Sequence, residues 1–307
     1  MPDEALVAAV RQVSALETGS YRAPSVECFF DEATATATYI VYDPETLATA
    51  VIDSVLNFDH AAARISFESA DVIVSHVRAR GLIVHWLLET HAHADHLSAA
   101  PLLKSKLGGR IAIGQEIIRV QEEFGKIFNA GTEFARDGSE FDRLFKDGEA
   151  FSVGNIPAIS LHVPGHTPSD VAYIIGDAAF VGDTLFMPDC GTARADFPGG
   201  DPARLFESIR RLLSLPDQTR IFVCHDYKAA GRGYAWETTA GAERASNIHV
   251  RDGISEEEFV ALRRAKDATL QMPKLILPSI QINMRGGNLP LEENNGVRYL
   301  KIPLNAI

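Results

Sequence analysis

Thr90-His91-Ala92-His93-Ala94-Asp95-His96 places three imidazoles and a carboxylate in seven consecutive positions. The run follows an apolar stretch, Ile83-Val84-His85-Trp86-Leu87-Leu88, that reads as a buried strand. A packed core has no use for so many metal-ligand side chains at one strand end. Neutral imidazole and carboxylate suit zinc, iron, manganese or nickel. If this heptad is half of a metal site, other strands must end in further ligands.

Three later segments meet that demand. Pro164-Gly165-His166-Thr167-Pro168 follows the candidate strand Ile156 to Val163, and its Gly and Pro set a tight turn that presents His166. Phe180-Val181-Gly182-Asp183-Thr184 ends a second strand in Asp183. Ile221-Phe222-Val223-Cys224-His225-Asp226-Tyr227 ends a third in His225. Each alone reads equally well as a turn or cap residue; together they define a site. Counting ligands gives His91, His93 and His166 for one ion and Asp95, His96 and His225 for another, with Asp183 between.

The remaining pattern is layered α/β. Strands are expected at Thr36 to Val41, Thr49 to Asp53, Val171 to Ile175 and Ala179 to Val181. Helices are expected at Asp59 to Arg80, Leu97 to Leu107 and Pro202 to Leu213, with Asp95 and His96 opening the second. Gly125 to Gly148 reads as a long loop over the site. Ser255-Glu256-Glu257-Glu258 has the form of a capping box for a helix to Asp267. Lys274 to Ile302 reads as irregular. The expected organisation is a catalytic domain over residues 1–240 and a C-terminal extension over 241–307 packed on it.

A chain of 307 residues with 46% hydrophobic and 23% charged content can bury a large core. Its net charge of −12 argues against a nucleic-acid partner, which needs clustered cations. No stretch is long and apolar enough to span a bilayer, so no membrane partner is expected. An acidic start and three scattered cysteines (Cys28, Cys190, Cys224) point to a reducing, cytoplasmic setting without disulfides. Cys190 and Cys224 read as buried, inert thiols. A homodimer through the N-terminal helix or the tail is the expected assembly.

The four ligand segments together resemble the metallo-β-lactamase superfamily over about Thr36 to Tyr227. That resemblance implies an α/β fold, the αβ/βα four-layer sandwich with metals at one edge of its sheets. It implies a structural, non-ligand role for Asp53. Within the superfamily the chain most resembles the persulfide (sulfur) dioxygenases, in their longer bacterial branch. The heptad, Gly191-Thr192-Ala193-Arg194-Ala195-Asp196-Phe197, His225-Asp226-Tyr227 and the tail Ile282-Asn283-Met284-Arg285 carry this likeness.

The resemblance implies one Fe(II) per chain on His91, His166 and Asp183. His93 and His225 would then act catalytically beside the metal without binding it, and Asp95 and His96 would be ligands only in a dinuclear site. Glutathione persulfide and O2 are the implied substrates. Arg194, Tyr227, Lys228, Arg232 and Arg285 are the candidates to hold them. The alternative is a glyoxalase II-like glutathione thioester hydrolase with two Zn. A non-catalytic binding protein is disfavoured because ligands stand at every strand end.

Overall fold

The computed structural model describes residues 3–17, 19–229 and 231–306. The chain runs through α1 (Glu4–Glu17), β1 (Ser25–Asp31), β2 (Thr36–Tyr42), β3 (Ala48–Ile52), β4 (Val55–Asp59), β5 (Arg64–Ser66) and α2 (Glu68–Ala79). Next come β6 (Ile83–Leu88), β7 (Leu97–Ser98), α3 (Ala100–Leu107), β8 (Arg110–Gly114), α4 (Ile117–Ile127) and β9 (Arg143–Phe145). The second half holds β10 (Ala150–Val153), β11 (Ile156–His162), β12 (Val171–Ile175), β13 (Ala178–Phe180), α5 (Pro202–Leu212), β14 (Arg220–Phe222) and β15 (Glu237–Thr239). Three helices close it: α6 (Ala240–Ser246), α7 (Glu256–Asp267) and α8 (Ile276–Asn283).

The strands form two six-stranded sheets, ordered β1-β2-β3-β6-β8-β9 and β10-β11-β12-β13-β14-β15, and a small β5-β4-β7 sheet. Aromatic and β-branched residues (Tyr39, Ile52, Trp86, Tyr173, Phe180, Phe222) fill the space between the large sheets. The first sheet buries its outer face under α2, α3, α4 and α8. The second does so under α1, α5 and α7. This is the αβ/βα sandwich.

The expected helix over Asp59 to Arg80 is shorter. Asp59 ends β4, an antiparallel partner of β5, and the helix starts at Glu68. The apolar periodicity of Ile73, Val74 and Val77 belongs to the helix alone. Asp95 and His96 do not open a helix either. They lead into β7, which pairs with β4, and α3 begins at Ala100 with Pro101 in its first turn, where a proline is tolerated.

The Gly125 to Gly148 segment is not a cover for the site. It contains the end of α4 and all of β9, and it buries Phe128, Phe134 and Phe141 against the α4–α8 layer. The tail is not wholly irregular, because Ile276–Asn283 is helical. That helix is mostly apolar with little amphipathic pattern, since it is buried between other elements, and periodicity could not reveal it. Ser255 does cap α7, through the reciprocal bonds of a capping box with Glu258.

Candidate metal centre

β6 delivers the heptad into a loop whose three histidines are all at most 1% exposed. Asp53, just beyond β3, anchors that loop. Its φ is +52°, a left-handed conformation aspartate tolerates better than most residues. Oδ1 accepts from the Thr90 amide at 2.8 Å, and Oδ2 accepts from the Thr90 hydroxyl at 2.9 Å. Oδ1 also lies 2.9 Å from His93 Nε2. This leaves His93 Nδ1 as the nitrogen turned toward the cluster, without a hydrogen-bond partner.

The tight Gly165 turn after β11 carries His166. A Cβ at Gly165 would stand 2.3 Å from Leu205 Cα, so only glycine lets α5 approach. His166 Nδ1 donates to the Arg194 carbonyl at 2.8 Å, which fixes the ring and frees Nε2. Beyond β13, Gly182 has φ +53° and its missing Cβ would meet the Thr90 hydroxyl at 2.6 Å. That close fit sets Asp183 against the heptad. Asp183 Oδ2 lies 3.5 Å from His166 Nε2 and 3.9 Å from His91 Nε2, and Oδ1 lies 3.3 Å from His225 Nε2. His225 Nδ1 donates to the Ala35 carbonyl at 3.1 Å, so its Nε2 also faces inward, 3.4 Å from Asp95 Oδ2.

The buried polar atoms without hydrogen-bond partners include His91 Nε2, His93 Nδ1, His96 Nε2, Asp183 Oδ1 and His225 Nε2. Leaving one such atom unsatisfied costs about 1–3 kcal/mol, so their convergence calls for a cation. The donors fall into groups whose atoms lie within 4.8 Å of one another: His91, His166 and Asp183 form one, and His93, Asp95 and His96 another. These residues fit a metal.

The electrostatics differ between the histidines. Burial, with the neighbouring imidazoles of His93 and His166, drives the His91 pKa well down and keeps it in the neutral, ligating form. Burial also disfavours charge on His93, but the Asp53 carboxylate outweighs it and raises the pKa well above the usual value. His225 behaves likewise, burial being overcome by Asp183 and Asp95.

A cleft of about 650 Å³ opens beside the cluster, and Asp95, His166 and Asp183 line it. Arg194 and Tyr227 line it too, but Lys228, Arg232 and Arg285 are not part of its wall. Arg232 is committed to Asp189 and Asp226. Lys228 lies over the Tyr234 ring, and Arg285 lies 4.2 Å above the Phe134 ring on the α4 side. Arg194 is itself largely engaged, by Asp196 at 2.6 and 2.8 Å and by the Gln271 carbonyl at 2.7 Å.

Sequence reasoning missed four residues that matter here. Lys274 lines the cleft, is exposed, and forms no ion pair among the described residues. Arg263 also lines it, 3% exposed and held by Asp267. Asn283 clamps the heptad from α8. Glu89 is buried, with Oε2 3.3 Å from His93 Nε2. Only Asn283 had a signal, as part of the Ile282 to Arg285 tail. Of the thiols, Cys224 is buried, whereas Cys190 is only half-buried; burial pushes its pKa up to about 11.

An αβ/βα sandwich with a buried His/Asp metal site at the ends of its strands defines a metal-dependent enzyme fold. The chain belongs to the metallo-beta-lactamase superfamily, whose family profile matches residues 33–225. It is 54% identical to a Burkholderia pseudomallei protein named "Probable metallo-hydrolase", over 92% of this chain and 100% of that one. It is 44% identical to glyoxylase B2 of Dictyostelium discoideum, over 92% and 97% of the two chains. It is 28% identical to human mitochondrial persulfide dioxygenase ETHE1, over 94% and 98%. The crystal structure of ETHE1 from Myxococcus xanthus matches with a TM-score of 0.69 at 28% identity, covering 86% of this chain and 100% of that one. No helix among the described residues is long and apolar enough to cross a membrane.

Proposed function

We propose that the chain is a persulfide dioxygenase that converts glutathione persulfide, O2 and water to glutathione and sulfite. The observation that carries this reading is the placement of the donor groups. His91, His166 and Asp183 form a two-histidine, one-carboxylate set, the pattern of non-haem iron oxygenases. Two of its three members line the cleft, against one of three in the His93, Asp95 and His96 group. Similarity to the human persulfide dioxygenase over nearly the whole chain supports it.

His91, His166 and Asp183 would hold one Fe(II), which supplies the one-electron chemistry with O2 that side chains lack. Arg194 O and Thr90 Oγ1 orient the two imidazoles through their Nδ1 atoms. His93 and His225, each tied through one nitrogen to Asp53 or Ala35 O, keep the other without a hydrogen-bond partner, and these free nitrogens would be the ones to act beside the metal. Phe197, 5.2 Å from the His166 ring, and Phe186 give the cleft an apolar wall beside the donors. Arg194, Tyr227 and Lys274 face the cleft and hold the glutathione moiety.

A second reading is a dinuclear zinc hydrolase of glutathione thioesters. It is favoured by the second donor group and by the names of the Burkholderia and Dictyostelium relatives. Metal analysis of anaerobically purified protein, paired with an oxygen electrode, separates the two. About one iron per chain with O2 uptake on glutathione persulfide is expected. Two zincs, thioester cleavage and no O2 uptake would overturn the proposal.

A further inference from the structure

We infer that Asp267, on α7, is a positioning residue for the metal ligand His166 and acts on it through the Arg194–Ala195 peptide. The inference rests on His166 as a donor, an assignment shared by both functional readings. The links run in one line. Asp267 Oδ2 accepts from the Ala195 amide at 3.0 Å. That N–H belongs to the same peptide unit as the Arg194 carbonyl, which accepts from His166 Nδ1 at 2.8 Å. His166 Nε2 then faces the donor cluster, 3.5 Å from Asp183 Oδ2. A peptide unit is planar, so fixing its N–H also aims its C=O.

Arg263, one helical turn before Asp267, completes the clamp. Its Nε and Nη2 both meet Asp267 Oδ1, at 2.9 and 2.8 Å. That leaves Asp267 Oδ2 for the Ala195 amide and Arg263 Nη1 for the Thr192 carbonyl, at 3.0 Å. Each partner of the pair thus keeps one group for the 192–195 loop. His249 Nδ1 accepts from the Thr192 amide at 3.1 Å, and Asn247 Nδ2 donates to the Gly191 carbonyl at 3.1 Å. The pair is buried, and a buried ion pair on its own is a weak source of stability. Its geometry gives it another use. A carboxylate bonded to a metal-binding imidazole fixes the ring and makes it a stronger ligand. Here a peptide stands between the two, and hydrogen bonds in a chain polarise one another. Asp267 and Arg263 lie beyond the superfamily match at residues 33–225, so the C-terminal extension supplies this support.

The test uses the full chain, freed of metal and titrated with Co(II). Asp267→Ala should weaken Co(II) binding by about ten-fold. The Nδ1–H resonance of His166, protected in the metal-free wild type, should exchange rapidly in the variant. If Asp267→Ala fails to fold because Arg263 is left unpaired, Arg263→Met with Asp267→Leu removes the pair as a unit. Asp177→Ala is the control. It breaks another Arg–Asp pair, with Arg220 at the start of β14, the end of that strand away from His225. It should lower Tm and leave both readouts as in the wild type. A folded Asp267 variant with unchanged Co(II) affinity or a protected His166 proton overturns the inference. So does an equal loss of affinity in Asp177→Ala. Unchanged Co(II) affinity in His166→Ala overturns the ligand assignment instead, a result independent of any change at Asp267.

Discussion

Asn283 holds the backbone of His96, 187 positions earlier in the chain. Its Nδ2 donates to the His96 carbonyl at 2.7 Å and to the His93 carbonyl at 2.8 Å, and its Oδ1 accepts from the Ser98 amide at 2.8 Å. One amide thus satisfies three buried backbone groups of the metal loop. Asn283→Ala leaves all three unpaired at about 1–3 kcal/mol each if no water enters, so a loss of at least ~2 kcal/mol is expected. Urea unfolding of the metal-free variant measures that loss. A metal titration should show weaker binding, because the loop is no longer held.

Removing a ligand from the cleft-facing set should remove metal and activity together. His91→Ala is expected to lose bound iron and O2 uptake. Retained iron with normal turnover would show that the ligand assignment is wrong. Chelation of the wild type should lower its Tm, since metal binding to the native state alone adds stability by mass action.

Lys274 and Arg285 separate cleft contact from structural packing. Lys274→Gln should raise KM for glutathione persulfide by roughly two- to five-fold, about 0.5–1 kcal/mol for an exposed charge contact, with kcat retained. Arg285→Ala should leave KM unchanged. It should instead lower Tm, because the guanidinium covers Phe134 beside a buried phenylalanine cluster. A KM effect of Arg285→Ala larger than that of Lys274→Gln would reverse the assignment.

Glu243 predicts a pH dependence of stability away from the metal. It is fully buried, and burial drives its pKa up to about 8, against the hydrogen bond from Asn247. Between its unfolded value of 4.5 and about 8, the native state keeps a proton that the unfolded chain releases. Stability from this group therefore falls as pH rises through that window and levels off above it. Glu243→Gln removes the slope. Comparing the two proteins by urea unfolding at about pH 5 and about pH 8, the wild type should lose on the order of 3 kcal/mol more. Parallel profiles would show that Glu243 is ionised in the native state.

The sequence by itself determined the ligand inventory and the strands that carry it. Apolar runs ending in His91, His166, Asp183 and His225 are local patterns, and local patterns survive folding. The likeness of those segments to the metallo-β-lactamase superfamily implied the αβ/βα class. Only the tertiary structure decided which cations meet the cleft. Lys228 and Arg232 follow Tyr227 closely in sequence, yet Lys228 lies over the Tyr234 ring and Arg232 is drawn off the cleft wall by Asp226 and by Asp189, which only the fold brings near. Lys274 reaches the cleft because α7 and α8 bring the segment between them across its mouth. The same holds for α8, whose mostly apolar, buried sequence has little amphipathic period to read. Its Asn283 takes on a role only when the sandwich sets it under the heptad.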